Sequence, residues 1–188
     1  MKNSNLKKLC VSAIFLALGV VLSELIPSIS LPFGGSVTLF SMVPVCLIGI
    51  AFGTKWGIFS GLVYGVIQLM FGLGNVTYAW GISAVAGIAV LLFDYVVAYG
   101  VLGFAGVFKG TVKNQMLAAV LGVVLALLLR FICHFITGVT IWREIADTLG
   151  AIWYSITYNG AYMLPEIIIT PIGVALLIKA KVLNQLEK

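Results

Sequence analysis

The sequence predicts an all-α membrane protein, a bundle of six transmembrane helices forming one domain over residues 1–188. Three observations predict it. Apolar residues make up 62% of the chain and charged residues 9%, with a mean hydropathy of +1.17, so no water-soluble surface can be assembled from it. Gly, Pro, Asn and charged interruptions cut it into apolar segments at roughly 9–26, 37–52, 56–72, 81–108, 116–140 and 151–178. These approach the ~20 residues that a helix needs to cross hydrocarbon. Basic residues fall on alternate loops: Lys2, Lys7 and Lys8, then Lys55, then Lys109 and Lys113, then Lys179, Lys181 and Lys188, whereas the opposite loops carry only Arg143. The positive-inside rule then places both termini in the cytoplasm, and nothing is left over for a soluble catalytic domain.

The basic segment Met1–Lys8 runs into the first span without a small-residue cleavage site, which reads as an uncleaved span rather than a signal peptide. Ala13 and Ala17 in that span share a face at small-xxx-small spacing, which lets another helix approach closely. Glu24, near its outer end, reads as a solvated interface residue. The following Leu31–Ser36 has turn chemistry and an aromatic ring; it could fold over the outer mouth as a lid or serve as an ordinary connector. The second and third spans carry Cys46 and Trp56; with Cys10 and Cys133 scattered and no CxxC spacing, the cysteines read as packing residues. In the fourth span Asp94 stands about 7 to 8 Å below the outer boundary at ~1.5 Å rise per residue. The fifth holds Arg130, His134 and Gly138 at helical spacing, with Trp142 at its end. The sixth holds Tyr154, Tyr158, Asn159 and Tyr162, then Pro165 and Glu166, where the proline frees a backbone carbonyl. Trp80, Trp142 and Trp153 fall at the outer surface and Trp56 at the inner one, as interface anchors do.

Ionisable groups in hydrocarbon cost on the order of 2.5 to 3.5 kcal/mol each, so the few present call for an explanation. Asp94 or His134 alone reads as structural glue as readily as a ligand contact. Arg130 reads as structural, paired with an acid or a backbone carbonyl, and Glu166 as its candidate partner. The convergence is more informative. Spans four, five and six bring acid, imidazole, amide and aromatic rings to one outward-facing level, a box for an organic cation that gains an ion pair and about 0.5 to 2 kcal/mol per well-placed ring.

No GxxxxGK[ST] phosphate loop and no HExxH or other metal-ligand spacing occurs, and His134 is the sole histidine. Ser155 beside Tyr154 is no sign of an activated nucleophile, the two halves show no internal repeat of the alternating-access kind, and no aromatic-interleaved basic patch suggests nucleic acid.

Several runs carry a family resemblance: Ala13-Ile-Phe-Leu-Ala17, Gly34-Gly35-Ser36-Val37-Thr38 with Met42-Val43-Pro44, Asp94-Tyr95, the run from Arg130 to Trp142, and Trp153-Tyr154-Ser155-Ile156-Thr157-Tyr158-Asn159. End to end the chain resembles the substrate-binding S components of energy-coupling factor (ECF) vitamin transporters, in particular the thiamine-specific ThiT family. The resemblance implies a six-helix bundle with an extracellular pocket in a prokaryotic cell membrane. It implies thiamine as transported ligand, no cofactor, and a partner module of two ATPases and a transmembrane coupling subunit. On it, Asp94 matches an acid that pairs with the cationic vitamin, glutamate in some members; His134, Gly138, Trp142, Tyr154 and Asn159 match pocket positions; Tyr95 and Trp142 are candidates to sandwich the rings. Ala13 and Ala17 match the face that docks on the coupling subunit. Phe71–Leu92 is longer than the family pattern, with Tyr78 and Trp80 as candidates for an aromatic supplied there. The alternatives are an S component for another vitamin or a thiamine precursor, a solitary carrier, and a small intramembrane enzyme using Asp94 and His134 as acid and base.

Overall fold

The computed structural model describes residues 2–31, 35–142 and 150–187, and these are almost wholly helical. Helix α1 (Lys2–Val20) continues through a π-helical turn at Val21–Leu25. Strands β1 (Ile29–Ser30) and β2 (Ser36–Val37) then pair antiparallel, Ile29 opposite Val37 and Ser30 opposite Ser36. Of the expected lid or connector, Pro32, Phe33 and Gly34 lie outside the described residues.

The second span differs from its expected 37–52. Val37 is spent on the strand pair, and Phe40 takes φ 60, a left-handed conformation that no α-helix continues. Helix α2 therefore begins only at Val43 and ends at Phe52, with Pro44 in its first turn, where the missing N–H costs nothing. Its 10 residues reach about 15 Å, half the hydrocarbon thickness, and every residue from Val43 to Ala51 is buried. It is a core helix, not a lipid-facing one.

Helix α3 (Thr54–Phe71) presents Gly57, Gly61 and Gly65, four residues apart on one face, to the backbone of residues 96–103, and Gly57 also meets Gly49 of α2. A Cβ on Gly57 would stand 2.9 Å from Gly103 Cα, on Gly61 3.0 Å from Gly100 Cα, and on Gly65 2.9 Å from Val96 Cα. Backbone thus meets backbone, the close approach that small residues allow between membrane helices. After Gly72 the chain bends by 78° into α4 (Leu73–Ile82), a helix the sequence reading left unassigned between its third and fourth spans. Ser83 caps α5 (Ala84–Val90), its Oγ accepting from Ala86 N at 3.1 Å. A π-helical turn (Leu91–Val96), α6 (Val97–Gly100) and a 3-10 turn (Val101–Gly106) extend it, so that Ala84–Gly106 forms one apolar stretch of 23 residues.

Helix α7 (Gln115–Thr140) is capped by Asn114 and pairs extensively with α8 (Ala151–Lys179), which runs unbroken through Pro165 and Pro171. The short α9 (Val182–Glu187) follows. Among the described residues four helical stretches are long and apolar enough to cross a membrane, five if the bent pair α3–α4 counts as one. This is a multi-pass membrane protein. Lys7 Nζ donates to Leu186 O at 2.9 Å and Lys109 Nζ to Ala51 O at 2.9 Å, while Leu183 meets Ile50 and Lys109 around one crevice. The first and last helices therefore start and finish at the same, lysine-bearing end of the bundle.

Candidate functional site

At the other end of the helices lies a cavity of about 760 Å³. Its walls come from the end of α1 and the Ile26–Ser28 connector, the β2–α2 segment, the Asp94–Tyr99 stretch, the C-terminal half of α7 and the first half of α8. All seven residues that the sequence reading grouped there, Asp94, Tyr95, His134, Gly138, Trp142, Tyr154 and Asn159, line this one cavity.

Asp94 sits in the π-helical turn of Leu91–Val96, where one widened turn re-aims the side chains toward α7. Thr137 Oγ1 donates to its Oδ1 at 2.5 Å, His134 Nδ1 lies 3.0 Å from the same oxygen, and Trp142 Nε1 donates to Oδ2 at 3.3 Å. With the proton on Nδ1, the buried His134 Nε2 is left as an acceptor and has no partner among the described residues. The carboxylate is thus fixed by three side chains of one neighbouring segment. Thr137 was missed in the sequence, although it follows His134 by three residues and so shares its face.

A second network locks α7 to α8. Asn159 Nδ2 donates to His134 O and to Ser155 Oγ, both at 3.1 Å, Ser155 Oγ donates to Phe135 O at 3.0 Å, and Tyr162 hydroxyl donates to Asn159 Oδ1 at 2.6 Å. Gly138 permits this crossing: a Cβ there would run into Ser155 Oγ and stand 3.0 Å from Asn159 Nδ2. Tyr154, Tyr158, Tyr162 and His134 form a continuous series of ring contacts down the wall, at centroid separations of 5.6, 6.0 and 5.9 Å.

Tyr95 and Trp142 have other immediate neighbours. Tyr95 hydroxyl donates to Gly72 O at 3.2 Å and accepts from Asn75 Nδ2 at 3.1 Å, while Trp142 stacks on Tyr78 with centroids 6.0 Å apart and planes 22° from parallel. Tyr78 thus buttresses a cavity residue from α4 without lining the cavity itself; Trp80 lies instead across Gly87. Glu24 is exposed at the rim, and Ala13 and Ala17 lie on an exposed face of α1 away from the cavity.

The expected pairing of Arg130 with an acid or a carbonyl is not what the structure shows. Arg130 is 6% exposed and lays its guanidinium over the Tyr99 ring, Cζ 3.8 Å from the centroid. Its Nε and Nη1 have no hydrogen-bond partner among the described residues, and no carboxylate there lies within ion-pair distance. Glu166 is engaged elsewhere: its Oε1 accepts from Thr38 N at 2.7 Å and from Thr38 Oγ1 at 2.9 Å, and its Oε2 accepts from Thr170 Oγ1 at 3.3 Å, tying α8 to the segment before α2. The basic and acidic residues 143–149 that follow Trp142 lie outside the described residues, Arg143 and Glu144 among them.

An apolar helical bundle with a large polar-walled cavity at one end is a membrane transporter of small molecules in class. The chain belongs to the family described as Thiamine transporter protein (Thia_YuaJ), which it matches over residues 9–185. It is 33% identical over 159 residues to the thiamine transporter ThiT of Bacillus subtilis, covering 79% of this chain and 78% of that one. It is 23% identical over 150 residues to the ThiT of Lacticaseibacillus paracasei, covering 74% and 71%. The solved structure of ThiT from Listeria monocytogenes superposes with a TM-score of 0.74 at 26% identity, over 97% of this chain and 98% of that one. The protein is thus a transporter rather than an enzyme.

Proposed function

We propose that the protein is the thiamine-binding S component of an ECF importer, capturing the vitamin from outside a prokaryotic cell and delivering it inward when coupled to two ATPases and a transmembrane subunit. The observation that carries this reading is Asp94, a carboxylate held by His134, Thr137 and Trp142 in the wall of a cavity faced by tyrosine rings. A thiazolium cation gains an ion pair from the carboxylate and attraction from the rings, and an aminopyrimidine N–H finds an open acceptor in His134 Nε2. Asp94, Tyr95, His134, Gly138, Trp142, Tyr154 and Asn159 are the substrate-binding residues in this reading. The ligand is cargo, and no cofactor enters the mechanism.

Counting α2 together with the bent pair α3–α4, the bundle makes six passes with both termini in the cytoplasm, and the cavity at the end opposite the lysines opens outward. The strand pair beside the cavity, where Ser36 and the preceding Gly35 line the wall, closes over the loaded site. Ala13 and Ala17, exposed on α1, supply the docking face for the coupling subunit. Titration calorimetry on the purified protein tests the reading. Saturable one-to-one thiamine binding that weakens strongly in Asp94→Ala is expected; absence of thiamine binding, or binding indifferent to that substitution, overturns it. Uptake by vesicles holding this chain without ATPases would overturn the coupled mechanism alone.

A further inference from the structure

We infer that Glu166 is a positioning residue for ligand retention: it pins residues 35–43 along α8 and so keeps the strand pair seated against the cavity while ligand is bound; this rests on the reading of the cavity as a thiamine site. The contacts run along one stripe of α8. Tyr162, Glu166, Thr170 and Gly173 follow one another at spacings of four, four and three residues, which puts them on one helical face. Gly35 lies on the first of them, where a Cβ would stand 2.9 Å from Tyr162 Cδ1. Thr38 is bonded to Glu166, and Phe40 and Val43 close on Gly173, whose own Cβ would stand 2.7 Å from Phe40 Cδ1 and 2.9 Å from Val43 Cγ2.

Strand β2 ends at Val37, so Thr38 N lies beyond the ladder, and Glu166 Oε1 accepts from it at 2.7 Å together with Thr38 Oγ1 at 2.9 Å. With its proton given to the carboxylate, Thr38 Oγ1 is left to accept from Ser41 Oγ at 2.5 Å. Glu166 is 1% exposed, and among the described residues no basic group lies within ion-pair distance of it, so these donors stand in for its hydration. Hydrogen bonds to an ionised acceptor are about twice as strong as neutral ones, which makes the carboxylate a firm anchor. What it anchors is strained. Phe40 holds φ 60, a conformation that a bulky side chain keeps only where its neighbours enforce it, and here Glu166 fixes the chain on one side of it while Gly173 seats the ring. The pinned segment supplies Gly35, Ser36, Thr38, Ser41 and Met42 to the cavity wall, and Tyr162 beneath Gly35 donates to Asn159 Oδ1 and stands edge-on to His134. Releasing Thr38 therefore frees one wall of the cavity and leaves Asp94 and its three partners in place. A wall freed in this way lets bound ligand out sooner and leaves entry at least as open, so the effect belongs to the dissociation rate.

The experiment follows thiamine association and release by stopped-flow tryptophan fluorescence on the purified wild-type chain, Glu166→Asp, Glu166→Gln and Ile168→Ala, with thermal unfolding recorded for each. Aspartate keeps the charge and draws the carboxylate back by one methylene, whereas glutamine keeps the reach and an acceptor and loses the charge. Release is expected at least about fivefold faster in Glu166→Asp, with the loss of affinity lying in release rather than in association. Glu166→Gln should lie closer to wild type than to Glu166→Asp, and Ile168→Ala, on the exposed face of the same helix, within about twofold of wild type. Release less than about fivefold faster in Glu166→Asp overturns the inference, as does a loss that lies in association. So does a glutamine variant closer to the aspartate variant than to wild type, which would mark Glu166 as a charge read by the ligand itself, or an Ile168→Ala that matches Glu166→Asp, which would mark a general loosening of α8. If Glu166→Asp does not fold, Thr38→Val, which removes the hydroxyl donor from the other side of the contact, decides by the same threshold. A wild type that binds no thiamine overturns the functional reading itself, whereas thiamine binding whose release is indifferent to Glu166 overturns this inference alone.

Discussion

Asp94 brings its carboxylate into the cavity wall already engaged by three side chains, so it is oriented before any ligand arrives. Such preorganisation spares the ligand the entropy of ordering its partner. Removing one member of a buried hydrogen-bonded charge pair costs about 2 to 5 kcal/mol, so Asp94→Asn should raise the thiamine Kd by at least about thirtyfold, read by calorimetry. A Kd within threefold of wild type would mean that the cation is held elsewhere. Thr137→Val keeps the shape but deletes a donor to a charged acceptor, a bond worth about 1.5 to 3 kcal/mol, and should weaken thiamine roughly tenfold with little change in Tm. The sequence made Arg130, His134 and Gly138 legible as one stripe by their spacing of four, and these three do line the cavity. Thr137 was hidden because a helical threonine ordinarily spends its hydroxyl on its own backbone, as Thr140 does on Ile136 O and Thr157 on Trp153 O. The partner of Arg130 was misread for a related reason: charge suggests an acid, and nothing in a sequence indicates that a ring will take its place.

At the scale of elements, the glycines of α3 decide where Asp94 stands. Gly57, Gly61 and Gly65 seat α3 directly on the backbone of residues 96–103, the segment that continues from the Asp94 turn. Gly61→Ala puts a methyl group into Tyr99 O and Gly100, and overpacking of this kind costs about 1 to 3 kcal/mol. A lowered Tm accompanied by weaker thiamine binding is expected, while Gly74→Ala, where nothing lies within 4 Å, should leave both within about 0.5 kcal/mol of wild type. Equal behaviour of the two variants would show that the seam is not tight. In the sequence these glycines lie inside the third apolar segment, 56–72, where apolarity alone does not indicate which backbone they touch. Helix α4 fell in the gap between the segments 56–72 and 81–108, whereas Leu73–Ile82 is a helix set at 78° to its predecessor and brings Tyr78 onto Trp142. The long stretches in α7 and α8 were legible because an apolar run of this length has no other structure in lipid.

For the whole molecule, the lysine distribution and the Lys7 to Leu186 contact agree on one end of the bundle for both terminal helices. In a variant lacking Cys10, Cys46 and Cys133, a cysteine at Lys181 should react with a membrane-impermeant maleimide only in inside-out vesicles, and one at Ser28 only from the outer face. The reverse pattern would invert the proposed orientation. Helix α2 has a consequence for how the chain is made. At 10 residues, buried on all sides, it offers the insertion machinery too short a stretch to be kept in hydrocarbon by its own affinity, and its final neighbours in α3 and Val101–Gly106 are synthesised after it. Full burial of α2 therefore waits on translation through Gly106, although α1 can enter the bilayer before it, and a ribosome stalled before that point should leave α2 open to added protease.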